Sequence, residues 1–275
     1  MFARARTPSL RGRLVCHCLL VETANGLVLC DTGFGVRDVE RPELRLSRFF
    51  LTLLRPEFRL DMTAIRQVEG LGFAPRDVRH VLLTHLDFDH AGGLDDFPWA
   101  TVHLLRSERQ AAFAQSTRLD RMRYRPQQWS TSGSWRVHDV RSGGERWFGF
   151  QRVRALPGVA QDVLLVPLPG HTFGHAGIAV RGDDGWFLLA GDAYFFAGEL
   201  DLARPNCPLG LRAYQWLMQK DGPARLANQQ RLRELRRDHG EEVTIVSSHD
   251  LVEFERCART AGERAAASDA SRSPT

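Results

Sequence analysis

The densest run of chemically capable side chains is Thr84-His85-Leu86-Asp87-Phe88-Asp89-His90-Ala91-Gly92-Gly93. Four groups able to bind a metal, His85, Asp87, Asp89 and His90, fall within six residues. Side chains alternate along an extended segment, so His85, Asp87 and Asp89 point to one side while Leu86 and Phe88 anchor the other. His90, at the turn into Gly92-Gly93, can swing in beside them. Imidazole nitrogens and carboxylate oxygens in this density suit a divalent cation. A solitary His or Asp in a loop is ordinarily a cap or a surface group. Four of them beside an apolar strand are not explained that way, because grouped carboxylates repel each other and are costly to desolvate. A bound cation removes that cost.

Three further segments share one form, an apolar strand ending in a candidate ligand. Residues 163–166 lead to Pro169-Gly170-His171-Thr172-Phe173-Gly174-His175, residues 186–190 to Gly191-Asp192, and residues 243–246 to Ser247-Ser248-His249-Asp250. In open α/β structures, sites gather at such strand ends. Each segment alone says little; together with the first they point to one metal centre.

In the order and spacing of these segments, from the Asp31-Thr32-Gly33 turn to His249, the chain resembles the metallo-β-lactamase superfamily. That family's pattern is HxHxDH, a His after a Pro-Gly turn, a Gly-Asp and a late His. The resemblance implies an αββα sandwich, an α/β fold of four layers with the site at one edge. It implies two divalent metal ions, zinc first, with iron or manganese as alternatives. His85, Asp87 and His171 would hold the first, Asp89, His90 and His249 the second, and Asp192 would bridge them. The departure is Asp87, where the family usually has its second His; a carboxylate makes the first site harder and more anionic. His175 is expected to support the site, Asp31 to orient a ligand or loop, and Asp250 to cap a helix. His17, His80, His103, His138 and His239 are expected to be structural or surface groups.

The reaction class expected from a two-cation centre is hydrolysis. The cations lower the pKa of water from about 15.7 toward roughly 7, and Asp89 could pass a proton to the leaving group. Within the family, the Phe88–Gly93 wording, the chain length and an apolar insertion after the Asp-Thr-Gly turn resemble the N-acyl homoserine lactonase-like branch. A lactone or other carboxylic ester is therefore the expected small-molecule substrate, with Tyr194, shortly after Asp192, as a candidate substrate contact. The rivals are a thioesterase of glyoxalase II type, a phosphodiesterase and, from another class, a non-catalytic metal-binding or sensor protein whose first site Asp87 has impaired.

The elements that must carry these residues alternate between strand and helix, which argues for sheets covered by helices. Apolar runs at 14–21 and 26–30 flank Ala24-Asn25-Gly26 and read as a hairpin. Residues 63–71 read as a helix, 77–84 and 101–105 as strands, and 107–115 as a helix with Ser107 as its N-cap. Residues 116–142 read as polar and irregular. Residues 224–238 and 251–259 read as helices. Between Pro42 and Pro56, Phe49, Phe50, Leu51, Leu53 and Leu54 cluster, with Phe58 just beyond. This insertion, 36–60, reads as core, with a pocket wall or a homodimer interface as alternatives.

At 275 residues the chain fits one domain, 1–260, followed by a solvated, disordered tail at 261–275 rich in Ala, Ser and Arg. The formal charge of +4 comes from scattered arginines, Arg118, Arg121, Arg123 and Arg125 among them, and is too diffuse for a nucleic-acid stripe. The Arg121-Met122-Arg123-Tyr124-Arg125 run is expected to be a solvated face. Five cysteines without a CxxC pair suggest neither a zinc ribbon nor a disulfide framework, and Cys16, Cys18 and Cys30 read as small core residues. The basic start lacks an apolar signal region and no run is long enough to span a bilayer, so a cytoplasmic protein with no membrane or nucleic-acid partner is expected.

Overall fold

The computed structural model describes residues 13–141, 143–156 and 158–259. The expected tail, 261–275, lies outside them. Two sheets dominate. The first has the order β1-β2-β3-β4-β5, formed by Leu19–Thr23, Gly26–Cys30, Val78–Leu82, Thr101–Leu105 and Trp135–His138. The second has the order β11-β10-β9-β8-β7-β6. Its strands, in chain order from β6, are Glu145–Trp147, Phe150–Leu156, Ala160–Pro167, Ala176–Gly182, Gly185–Leu189 and Val243–Val246.

Alternation along the strands explains the layering. In β2, Leu27 and Leu29 join one apolar cluster with Ala64 and Val68 of helix α4 (Ala64–Gly70), whereas Val28 and Cys30 face the second sheet. In β8, Val163 and Leu165 meet Val28 and Leu82 between the sheets, while Leu164 and Val166 pack outward against Leu232 and Leu235 of the helix at Gly222–His239. Strands with period-two side chains that are apolar on both faces require cover on both faces. The result is the expected αββα sandwich.

Strand directions set where the site forms. Strands β2, β3, β4 and β5 run parallel; β8 and β10, each antiparallel to β9, point the same way, and β11 is parallel to β10. The segments following β2, β3, β8, β10 and β11 therefore converge at the carboxyl ends of both sheets. The two sheets are tied at this edge by the Ala176 N–H donating to the Thr84 carbonyl at 2.9 Å.

The remaining helices in chain order are α1 (Val36–Glu40), α2 (Pro42–Arg45), α3 (Arg48–Leu54), α5 (Arg106–Ala114), α6 (Arg118–Arg123), α7 (Leu209–Met218), α8 (Gly222–His239) and α9, residues 251–259. The hairpin forms as expected, with Thr23 opposite Gly26, although β1 starts later than its apolar run. Ser107 is not an N-cap: the helix begins at Arg106, and Leu105 occupies the cap position without a side-chain bond. The stretch 116–142 is not irregular. Thr117 and Asp120 form a capping box that starts α6, and β5 follows at Trp135. A local reciprocal cap builds a helix in a polar sequence without needing an apolar stripe. No helix of the described residues is long and apolar enough to cross a membrane.

Candidate metal centre

All seven expected ligands meet at this edge. The segment after β3 keeps the alternation read from its sequence: Leu86 and Phe88 are buried in separate apolar clusters, while the polar residues turn to the opposite side. A turn begins at Phe88 and carries His90 back toward His85, their rings 4.0 Å apart. The tight Gly191 turn presents Asp192. Gly191 has φ +57°, and a Cβ there would stand 2.5 Å from His175 Nε2, so no other residue fits.

The Asp192 carboxylate divides the cluster into two corners. Its Oδ1 lies 3.0 Å from His249 Nε2 and 3.2 Å from His90 Nε2, and those two nitrogens are 3.3 Å apart. Asp89 completes this corner, with Oδ2 3.8 Å from His249 Nε2 and Oδ1 3.9 Å from His90 Nε2. On the other side, Asp192 Oδ2 lies 3.3 Å from His171 Nε2 and 3.7 Å from His85 Nε2. Asp87 Oδ2 lies 2.9 Å from His171 Nε2 and 3.4 Å from His85 Nε2. His85 Nε2 and Asp192 Oδ1 are buried without a hydrogen-bond partner. Orphaned lone pairs aimed at a common centre, with nitrogen and oxygen donors crowded around it, match a divalent cation.

The surrounding groups hold this geometry. Asp31 Oδ2 bonds His90 Nδ1 at 2.9 Å and both its oxygens accept from Thr84, so Asp31 fixes the orientation of the His90 ring. His175 bonds the Leu168 carbonyl through Nδ1 and accepts the Asp192 N–H through Nε2 at 2.8 Å. His249 Nδ1 is held by the Val15 carbonyl at 2.7 Å. Asp250 caps α9 by accepting the Glu253 N–H at 2.9 Å.

The electrostatics follow from burial and charge. Burial pushes His90 and His249 down, but Asp192, assisted by Asp31 at His90, holds both imidazoles well above their ordinary range. Burial and the neighbouring His90 hold His85 well below it. Burial raises the Asp89 carboxyl, against the pull of His90 and His249. Asp192 would be raised by burial, but the four surrounding imidazoles hold it well below the carboxylate range.

Four residues at the site carried no such role in the sequence reading. Arg123 is the largest correction. It was expected on a solvated face, yet it is 0 % exposed and grips Asp87. Its Nε donates to Asp87 Oδ1 at 2.6 Å, and its Nη2 to Asp87 Oδ2 and, at 2.8 Å, to His171 Nε2. A signal existed: an extra buried carboxylate at position 87 demands a nearby cation. Glu108, near the start of α5, accepts the Leu86 N–H at 3.0 Å, the Gly174 N–H at 3.2 Å and the Thr172 hydroxyl, tying two ligand loops together. Cys16 is not a simple core residue; its Sγ lies 3.9 Å from Asp89 Oδ2 and it groups with Asp89 and His249. Cys18 is exposed, and of the three only Cys30 is fully buried.

Tyr194 is drawn elsewhere. It is 0 % exposed, and its hydroxyl donates to Glu253 at 2.9 Å, inside the apolar layer under α8. Burial, with the Glu253 charge, raises its phenol well above the ordinary value. Tyr214 of α7 also has a raised phenol: burial raises it, and the charges of Asp89, Asp87 and Asp192 add to the rise. Tyr214 joins the apolar cluster of Phe34, Phe50, Phe58, Phe88 and Met218, so the insertion meets the His85–His90 segment at Phe88. Phe50 is buried there, while Phe49 and Leu53 on the same helix remain exposed.

The family model described as the metallo-beta-lactamase superfamily matches residues 11–249. A probable metallo-hydrolase of Mycobacterium tuberculosis is 43% identical over 237 residues, spanning 86% of this chain and 75% of that protein. An N-acyl homoserine lactonase of Bacillus thuringiensis is 31% identical over 108 residues, 39% of this chain and 43% of the lactonase. A solved N-acyl homoserine lactone hydrolase, with N-hexanoyl-L-homoserine bound at its catalytic metal centre, superposes with a TM-score of 0.65 at 23% identity, covering 89% of this chain and 84% of that one. A dizinc quorum-quenching lactonase superposes at 0.55 with 16% identity, covering 86% and 73%. With the two sheets, the converging strand ends and the divided cluster of histidines and aspartates, the match across residues 11–249 means that this chain belongs to the metallo-β-lactamase superfamily and is a hydrolase of that fold.

Proposed function

We propose that this hydrolase opens a lactone or cleaves a related carboxylic ester bearing an apolar acyl group. The observation that carries the reading is the apolar cluster of Phe34, Phe50, Phe58, Phe88, Tyr214 and Met218, which joins the insertion to the His85–His90 segment at Phe88. A substrate without an apolar acyl group, such as an anionic phosphodiester, would gain nothing from that cluster. Residues 1–260 act as one catalytic domain in this reading, and the insertion 36–60 is part of its substrate site.

Asp89, His90, Asp192 and His249 would hold a divalent ion, which lowers the pKa of water from about 15.7 toward roughly 7. Phe195 stacks on His249 at 4.7 Å, fixing the ring face and keeping bulk water from it. Asp89 is the ligand that reaches solvent most, with 13 % side-chain exposure against 4 % for Asp192 and 3 % for His249. Its raised carboxyl can take a proton from the attacking water and return it to the alkoxide leaving oxygen as the acyl C–O bond breaks. The Tyr214 hydroxyl, kept protonated by burial with the charges of Asp89, Asp87 and Asp192 adding to it, would donate to the carbonyl or acyl amide of the substrate.

A panel of acyl lactones, thioesters and phosphodiesters, assayed after reconstitution with zinc, manganese or iron, tests this. Turnover should favour lactones and rise with acyl length. Turnover of phosphodiesters alone would end the ester reading, and preference for a thioester would move the leaving group from oxygen to sulfur.

A further inference from the structure

The two corners of the cluster do not fit a cation equally. We propose that the Arg123 guanidinium stands where the family places its first metal, so that this chain binds a single divalent ion, at the Asp89 corner, beside a built-in organic cation. The proposal rests on the metallo-hydrolase reading above.

The lone pairs decide it. Both Asp87 oxygens accept from Arg123, Oδ1 from Nε at 2.6 Å and Oδ2 from Nη2. His171 Nε2 accepts from the same Nη2 at 2.8 Å. The remaining terminal nitrogen, Nη1, donates to the Met218 carbonyl at 2.6 Å, which anchors the guanidinium between α6 and α7. His85, Asp87 and His171 have the spacing of a metal group, but the atoms there free of Arg123 are His85 Nε2 and Asp192 Oδ2; Asp87 keeps second lone pairs, with the guanidinium standing against them. Two donors fall short of the three or four protein ligands that zinc takes. An arriving divalent ion would also meet a fixed positive charge that is 0 % exposed and poorly screened.

Charge and shape explain the pairing. A His at position 87 would be a neutral ligand; Asp87 adds a negative charge, and Arg123 returns the balance. The planar fork of Arg matches a carboxylate with two parallel bonds, which Lys could not do. The corner is thus neutralised by a group the chain itself carries. At the Asp89 corner the described residues bring no Arg or Lys within ion-pair distance of Asp89 or Asp192.

The test is metal stoichiometry in the full chain. After dialysis against zinc or manganese, elemental analysis should give one equivalent per chain, and the manganese form should show an uncoupled electron paramagnetic resonance signal. His249→Ala should lose that ion, while His85→Ala should retain it. Two equivalents with an exchange-coupled signal in the unaltered protein would overturn the proposal and leave the hydrolase reading intact. Loss of the ion in His85→Ala but not in His249→Ala would overturn it as well. An unaltered protein that binds no ion and hydrolyses nothing would defeat both readings. The double variant Asp87→His/Arg123→Met, which restores a neutral ligand and removes the guanidinium together, should gain a second equivalent. If it folds and still binds one, the guanidinium is not what excludes the ion.

Discussion

Asp192 faces two corners built from the same residue types, and they are neutralised differently. At the Asp89 corner, two imidazoles and two carboxylates crowd together with no guanidinium or ammonium among them. At the Asp87 corner, a buried arginine satisfies the carboxylate and reaches the histidine. One corner can exchange its cation with solvent; the other has its cation fixed in the chain. The difference separates two roles that a pair of metals would share, with chemistry assigned to the Asp89 side and cohesion to the Asp87 side.

Activity separates the two corners most strongly. Asp89→Asn keeps the shape of the side chain but removes proton transfer, so kcat should fall by about 10²–10⁴-fold while the melting temperature barely moves. An unchanged kcat would remove Asp89 from the chemistry. The next largest effect belongs to the other corner. Arg123→Met leaves Asp87 buried and unpaired, which costs about 3–5 kcal/mol. For a chain of this size that lowers the melting temperature by roughly 6–20 °C in a thermal melt. A variant that melts like the parent would show that the Asp87 corner does not hold the fold together.

Glu108, which ties the two loops of the Asp87 corner, sharpens the comparison through pH. Burial raises its carboxyl to about 7, opposed by the hydrogen bonds from Thr172 and Leu86. Because the folded value lies above the unfolded one, the folded chain binds the extra proton. The stabilisation is full below about 4.5 and is lost as pH rises through about 7. Denaturation of Glu108→Gln should lack that part of the slope, on the order of 3 kcal/mol across the window. A variant with the parent's pH profile would contradict it. The smallest effect is expected at Tyr214→Phe: loss of one hydrogen bond should weaken kcat/KM by roughly 3–10-fold, without changing the metal content. A loss of bound metal would mean that Tyr214 supports the ligands rather than the substrate.

Much of this was legible before folding. The alternation in 84–90 placed three polar groups on one side and two apolar anchors on the other, because extended backbone imposes that period. The apolar runs at 163–166, 186–190 and 243–246 announced buried strands, and their terminal residues did converge. The errors fell where long-range partners decide. Tyr194 lies close to Asp192 in sequence, yet its hydroxyl goes to Glu253, fifty-nine positions away. Arg123 sits in a polar run that looks solvated, and α6 turns it inward.

The candidate donors, the order in which the strands deliver them and the layered fold follow from residue type and local period along the chain. It also carried the odd carboxylate at Asp87. Which cation answers that carboxylate was settled in three dimensions, as was the burial of Tyr194 against Glu253. Charge neutralisation is a property of distance in space, and Asp87 and Arg123, thirty-six residues apart in the chain, become ion partners only when the residue after α6, Tyr124, pairs with Asp87 in the segment after β3.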